Sequence, residues 1–447
     1  MPEPQNLTPA SIAATTTDQT VQAARQFGTP LYLYDEDAIV KRCREVLAMP
    51  SAFGMQARFA MKANSNRALL QIIAGQGVGI DASSLNEAKR AVAAGVPAAR
   101  VMLTTQEIAQ GAERSELEIL MTAGLKYNVC SLRQLALIKD FARAGNTRLA
   151  MRVHPGVGSG ESATRNTGDK YSCFGVHLSD IQTATELAGQ AGIVIDHVHV
   201  HIGSGADPEK WRDNIDRELG FVERFFPDAA HVCFGGGLKV ARMPDETGAD
   251  LQDLGGYARQ KIQAFERRTG RKLTMEVEPG TYIVANAGSL LTTVIDKKQT
   301  GPDGFQFLVL DGGMEVNARP LLYGSRHPFY VVSQGAELLS SEFDLAAFEP
   351  NTDSRVVVGR CCESGDSQSL DELGHIVPRT MAEPEIGDFV VIGGCGAYCA
   401  SMTPANYNSH AQAPEVLARV DGTLRLIRKR QNLEQILQNE IGLEEEQ

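Results

Sequence analysis

No apolar run in the chain approaches membrane-spanning length, and the opening stretch MPEPQNLTPASIAATTT carries neither the basic nor the apolar segment of a secretory signal. A cytoplasmic protein without a membrane partner is expected. Positive charge is scarce as well: 43 Lys and Arg stand against 55 Asp and Glu, a formal net charge of -12. Nucleic-acid binding relies on a dense basic surface, so no nucleic-acid partner is expected. The one basic run, RLIRKR near the C-terminus, is short and reads as a solvated strand end. The eight cysteines form no Cys-x-x-Cys pair and no Cys/His cluster at zinc spacing, which indicates neither a disulfide framework nor a metal site. They read as reduced thiols. No internal repeat is visible.

What is present is the balance of a globular protein, with 43% hydrophobic and 22% charged residues over 447 positions. That length exceeds one ordinary core, and two domains are expected. From about residue 55, short β-rich runs alternate with helical patterns, as β/α units on a parallel sheet do. The strands are RFAMK (58–62), VGID (78–81), VMLT (101–104), YNVC (127–130), RLAMRVH (148–154), HVHVHI (197–202), HVCF (231–234) and LTMEVE (273–278). Between them, Ser84 and Glu87 are spaced as a capping box for the helix NEAKRAVAA, stopped by Gly95 and Pro97, and LRQLALIKDFARA ends at Gly145. Eight such units make an α/β (β/α)8 barrel of the TIM type, assigned to residues 36–285.

After about residue 285 the runs FQFLVLDGG, PFYVVS, SRVVVG, DFVVIGG, EVLARV and LRLIRK follow one another without long helices. They predict a C-terminal all-β domain over 286–447, joined by the N-terminal segment 1–35, whose TPLYLYD also reads as a strand. The acidic tail IGLEEEQ reads as frayed.

In such barrels the site lies at the carboxyl ends of the strands, often with a phosphate held after strands seven and eight. Here those ends carry Lys62, Asp81, His154, His201 followed by GSG, Gly235-Gly236-Gly237, and Glu278-Pro279-Gly280. Each has a plainer reading. Lys62 could be a surface charge, Asp81 a helix cap, Glu278 the partner of a core arginine, and FGGGL an ordinary turn. His197, His199 and His201 share a strand face, but the sequence shows no carboxylate or cysteine at metal-ligand spacing beside them. Taken together, a lysine amine, a stackable imidazole, a glycine cradle and a carboxylate are what pyridoxal 5'-phosphate needs: a Schiff-base partner, a ring contact, phosphate binding and a protonated pyridine nitrogen.

Seven motifs in order, FAMKAN, HVHIGSG, CFGGGL, EPGTYIVANAG, RPLLYG, CCESGD and GGCGAY, resemble the barrel-fold pyridoxal-phosphate amino-acid decarboxylases across about residues 29–410. The stretch GVGSGESATRNTGDKYSCFGV resembles their diaminopimelate branch rather than the ornithine or arginine branches. The resemblance implies an alanine-racemase-like type III fold and decarboxylation of meso-2,6-diaminopimelate to L-lysine and carbon dioxide. The alternative is the same chemistry on ornithine, arginine, a carboxylated polyamine or another amino acid. It also implies that Lys62 carries the cofactor, His201 stacks on its ring, and Ser204 with Gly235, Gly236 and Gly237 holds its phosphate. Asp81 and Glu278 lie on the cofactor side, with Glu278 facing the pyridine nitrogen, and Tyr398 touches the cofactor and substrate. Arg319, Tyr323 and Glu363 bind substrate, and Cys362 is the acid that returns a proton to the substrate carbon. The family's sites are shared across a homodimer, with the CESGD loop supplied by the partner. Taken alone, Cys361-Cys362 would read as two buried small residues.

One departure stands out. The family usually writes Glu-Pro-Gly-Arg after strand eight, and this chain writes Glu278-Pro279-Gly280-Thr281. The missing guanidinium is an anion contact worth about 1.5–3 kcal/mol. Arg326, two residues past LLYG, is either its replacement in substrate binding or a solvated loop arginine.

Overall fold

The computed structural model describes residues 11–12, 15–145, 148–159, 166–203 and 207–443, in two compact units. One comprises Ile39–Val240 and Thr247–Ile283; the other comprises Met1–Ala38, Ala241–Glu246 and Val284–Gln447.

The first unit is the closed parallel barrel. Its eight strands are Met55–Ala60, Gly79–Ala82, Val101–Thr104, Lys126–Val129, Leu149–His154, Ile195–His199, His231–Cys233 and Thr274–Val277. Each pairs in parallel with the next, and the eighth pairs with the first through Met275 and Met55. All six residues of the fifth strand are buried, as expected of a parallel sheet covered on both faces. Helices of nine or more residues follow seven of the strands, and the eighth is followed by a single turn, Thr281–Val284. The helix Leu85–Ala93 starts at Ser84, whose Oγ accepts the Glu87 N–H at 3.0 Å. The return bond differs from a strict capping box: Glu87 Oε2 accepts from Ser83 N–H at 2.7 Å, one residue earlier than the N-cap. The helix Leu132–Ala144 ends at Gly145, as the sequence predicts.

The second unit is a ten-stranded mixed sheet. The strand Leu31–Asp35 belongs to it, pairing antiparallel with Gly288–Gln299 and in parallel with Glu415–Ala418. Leu31, Leu33, Leu291, Val332, Phe389, Val391 and Val416 make its core, against which the helix Thr17–Phe27 lays Val21 and Ala24. The hub strand Gly288–Gln299 also pairs with Gln306–Leu310 and Phe389–Ile392. The basic run near the C-terminus is more than a solvated strand end. Arg428 lies 2.9 Å from Glu415, and Arg430 donates to the carbonyls of Gly28, Thr29 and Pro30 at 3.0–3.3 Å. The basic side chains therefore tie the last hairpin to the first strand. No helix among the described residues is long and apolar enough to cross a membrane.

Candidate active site

The expected residues fall at or just beyond the carboxyl ends of the barrel strands. Lys62 lies in the 3-10 turn Met61–Ala63, two residues past the first strand, rather than at the strand's own end. Asp81 is in the second strand, His201 two residues beyond the sixth, and Glu278 one beyond the eighth. Ser204 lies outside the described residues.

The glycine loop fits where larger residues would collide. Gly235 has φ of +69°, and a Cβ there would sit 2.6 Å from the Val200 carbonyl oxygen; a Cβ on Gly236 would sit 2.6 Å from that of Glu278. This close approach lets the Gly236 N–H donate to Nδ1 of His201 at 3.1 Å, while Glu278 N–H donates to the Gly235 carbonyl at 2.9 Å. The loop thus locks to the ends of strands six and eight. Accepting at Nδ1 requires that nitrogen to be unprotonated. Burial, then the charges of Arg152 and Lys62, hold His201 well below the ordinary histidine value, against the pull of Glu278. His201 is therefore a neutral imidazole at physiological pH.

Two buried carboxylates share the barrel end, and the structure separates their charge. Asp81 is driven well above the usual range by burial and then by the negative charge of Glu278, with Lys62 and Thr104 opposing. Burial also disfavours charge on Glu278, but His199, which hydrogen-bonds it, and Arg152 more than offset it and hold its carboxyl below the usual range. The pair carries its charge on Glu278. His199 Nε2 lies 3.0 Å from Glu278 Oε2, and the ring is oriented from behind because Asn128 Nδ2 donates to its Nδ1 at 2.8 Å and to Thr104 Oγ1 at 3.1 Å. One layer deeper, His197 lies 3.5 Å from Glu276, which also binds Arg58 at 3.0 Å. The alternating histidines thus have carboxylate partners after all, supplied by strand eight rather than by neighbours in sequence. Arg152, buried inside strand five with its guanidinium 4.9 Å from the Phe174 ring centroid, acts on Glu278 through its charge rather than as a paired partner.

The sequence points to neither Asn128 nor Arg152, and to His199 only as one of three histidines sharing a strand face. Arg152 had a signal: an arginine inside an otherwise apolar barrel strand. Asn128 and His199 had none beyond their inward register.

In the β-rich unit, Arg319 is buried at the start of the turn Arg319–Tyr323, with Nη2 donating to Ser325 Oγ at 3.2 Å. Its guanidinium lies 5.9 and 6.0 Å from the ring centroids of Tyr323 and Tyr398, so these three candidates converge. Tyr398 has a φ of +58°, a backbone state that side-chain-bearing residues rarely adopt and that marks functional loops. Cys362 is exposed, and its N–H donates to Asn408 Oδ1 at 2.8 Å. Glu363 accepts from the Tyr407 hydroxyl at 3.0 Å; that bond and those from Gly365 and Ser364 lower its carboxyl. Asp366 closes the turn by accepting the N–H groups of Met314 and Cys361. Tyr407 and Asn408 escaped the sequence reading, although both grip the CESGD loop. Arg326 is half-exposed and bidentate to Asp245 at 2.8 and 3.0 Å. Its charge is met by that carboxylate.

A parallel barrel whose strand ends gather a lysine, a neutral imidazole locked to a glycine loop, and a buried carboxylate kept ionised is the scaffold of an enzyme that works through an aldehyde cofactor with a basic ring nitrogen. The chain belongs to the pyridoxal-dependent decarboxylase family: residues 36–285 match its pyridoxal binding domain. Its relatives include the diaminopimelate decarboxylases of Escherichia coli strain K12, 34% identical over 97% of this chain and 100% of that one, and of Streptomyces coelicolor, 33% identical over 94% and 91%. Among solved structures, one diaminopimelate decarboxylase superposes with a TM-score of 0.86 at 30% identity, covering 97% of this chain and 99% of that one. Another, from Helicobacter pylori in complex with L-lysine, gives 0.77 at 27%, covering 93% and 98%.

The residues present fit pyridoxal 5'-phosphate. Asp81 Oδ1 and Glu278 Oε1 are buried without a hydrogen-bond partner among the described residues, an arrangement that a polar group held at the barrel end would satisfy.

Proposed function

We propose that the protein removes one α-carboxyl group of meso-2,6-diaminopimelate, giving L-lysine and carbon dioxide, and that it works in the cytoplasm as a homodimer with shared sites. The observation that carries the pyridoxal chemistry of this reading is the buried, ionised Glu278 braced by His199 and Arg152. Bound pyridoxal phosphate supplies the electron sink that accepts the pair left when the carboxyl group departs. Lys62 would hold it through its side-chain amine. Glu278 would pair with its ring nitrogen, the neutral His201 would contact its ring, and the loop of Gly235, Gly236 and Gly237 with Ser204 would receive its phosphate. Arg319 and Tyr323 receive the distal polar groups of the substrate, beside Tyr398. Cys362, supplied by the partner subunit and steadied by Asn408, gives the proton that replaces the lost carboxyl group, and Glu363 contacts the substrate there.

Thr281 supplies no cation where the family usually has arginine. Arg319, buried and with Nε unpartnered, is the side chain suited to a distal carboxylate in its place. The test is spectroscopic and chemical together. Wild-type protein loaded with cofactor should show the visible absorption of a lysine-bound pyridoxal group and release carbon dioxide from substrate, and Lys62→Ala should lose both. Retention of both by Lys62→Ala would overturn the assignment.

A further inference from the structure

We infer that Glu315, Cys361 and His410 form a site for a borderline-soft divalent cation such as Zn2+, built from residues other than those assigned to the cofactor. One ligand atom from each of the three lies within 4.8 Å of the others. Bond lengths of 2.0–2.3 Å set tetrahedral zinc ligands about 3.3–3.8 Å apart, so closure requires a shift of about one ångström. The Cys361 Sγ to Glu315 Oε2 separation, 3.4 Å, already falls in that range.

The donors come from three loops, of which those of Glu315 and Cys361 are tied together through Arg360 and Asp366. Glu315 is buried and fixed by the Gly313 N–H at 2.8 Å and by Arg360 Nε on its other oxygen at 3.2 Å. Cys361 is fixed through its N–H to Asp366 Oδ2 at 2.7 Å. His410 follows three residues in four with positive φ, Asn406 at +64°, Asn408 at +48° and Ser409 at +58°, and its ring makes no hydrogen bond among the described residues. Strain of that kind persists where the surroundings enforce one geometry.

Charge favours a cation as well. The carboxylates of Glu315 and Asp366 flank Cys361, so a positive ion there meets negative charge. One thiolate and one carboxylate balance a dication, with the neutral imidazole as third ligand and water as fourth; Arg360 stays on the oxygen the ion does not use. Binding releases the Cys361 proton to solvent, so affinity should rise with pH. The cluster of His327, Cys395 and Cys399 is unsuited by comparison. The charges of Arg242 and Arg319 already act on both thiols and the imidazole, which disfavours a further cation.

The experiment is equilibrium dialysis of EDTA-treated holoenzyme against Zn2+ with metal analysis, and Co2+ substitution read by the thiolate-sensitive d–d bands that lie to the red of the cofactor's absorption. One ion per chain is expected, weakened at least about tenfold by Cys361→Ser and by His410→Ala and left in place by Cys362→Ser. His410→Ala changes a half-exposed residue and decides the matter should Cys361→Ser disturb the loop. Absence of stoichiometric metal, metal retained undiminished in His410→Ala, or loss of the ion in Cys362→Ser alone would overturn the site.

Discussion

The Gly236 N–H donates to Nδ1 of His201 at 3.1 Å, so the loop that follows strand seven holds the imidazole that follows strand six in one protonation state. His201 lies well below its ordinary 6.5 when folded, facing Arg152, Lys62, His199 and Glu278. A histidine so depressed contributes stability that is present above the unfolded value and lost as pH falls below it. The unfolding free energy of wild type should therefore fall relative to that of His201→Asn by up to about 1.4 kcal/mol per pH unit below 6.5, measured by urea unfolding of both proteins. Comparing the two proteins removes the opposite trend of Asp81, whose raised value gives stability that is lost as pH rises. A difference independent of pH would mean that His201 is protonated in the fold.

The two barrel carboxylates should respond unequally to loss of charge. Glu278 is the ionised member, so Glu278→Gln should lower kcat by about 10²-fold or more, the size seen when one preorganised electrostatic partner is removed. Asp81, whose carboxyl is raised, should tolerate Asp81→Asn far better. Steady-state kinetics on the two variants read this directly, and the reverse order would put the charge on Asp81.

Arg326 meets Asp245 at an exposed pair, and such pairs are worth about 0–1 kcal/mol. Arg326→Ala should then change kcat/KM less than about fivefold. A fall of one to two powers of ten, partly restored by adding Thr281→Arg, would show instead that the guanidinium leaves Asp245 to bind the anion usually met by the family's strand-eight arginine.

If Cys362 works in the neighbouring subunit, Lys62→Ala and Cys362→Ala chains, each nearly inactive, should complement when mixed. Random exchange makes half of the dimers mixed, each with one intact site of two, so up to roughly a quarter of wild-type activity should return. No recovery despite subunit exchange demonstrated by native mass spectrometry would place Cys362 in its own chain's site.

The barrel is legible in the sequence because its strands are short apolar runs spaced by helices with readable ends, such as Ser84 and Gly145. The strand Leu31–Asp35 is legible for the same reason, and its partners follow from the β-rich texture after residue 285. The hub strand Gly288–Gln299 is harder: its first half is buried on both faces and its second half is solvated, so no single period marks it. The contacts that tune the site are not legible at all. His199 with Glu278, Asn128 with His199 and Tyr407 with Glu363 join residues far apart in sequence, brought together by strand register and loop closure.

The most direct test of the central claim is the specificity constant for carbon dioxide release from pure meso-, LL- and DD-diaminopimelate beside ornithine and arginine, with the amino-acid product identified. The account predicts that the meso isomer is preferred by at least about a hundredfold over ornithine and arginine, as expected when a site built for a distal charged group loses that partner, and that lysine and carbon dioxide appear in equal amounts. Faster turnover of ornithine or arginine, or of a substrate lacking a distal carboxylate, would contradict it.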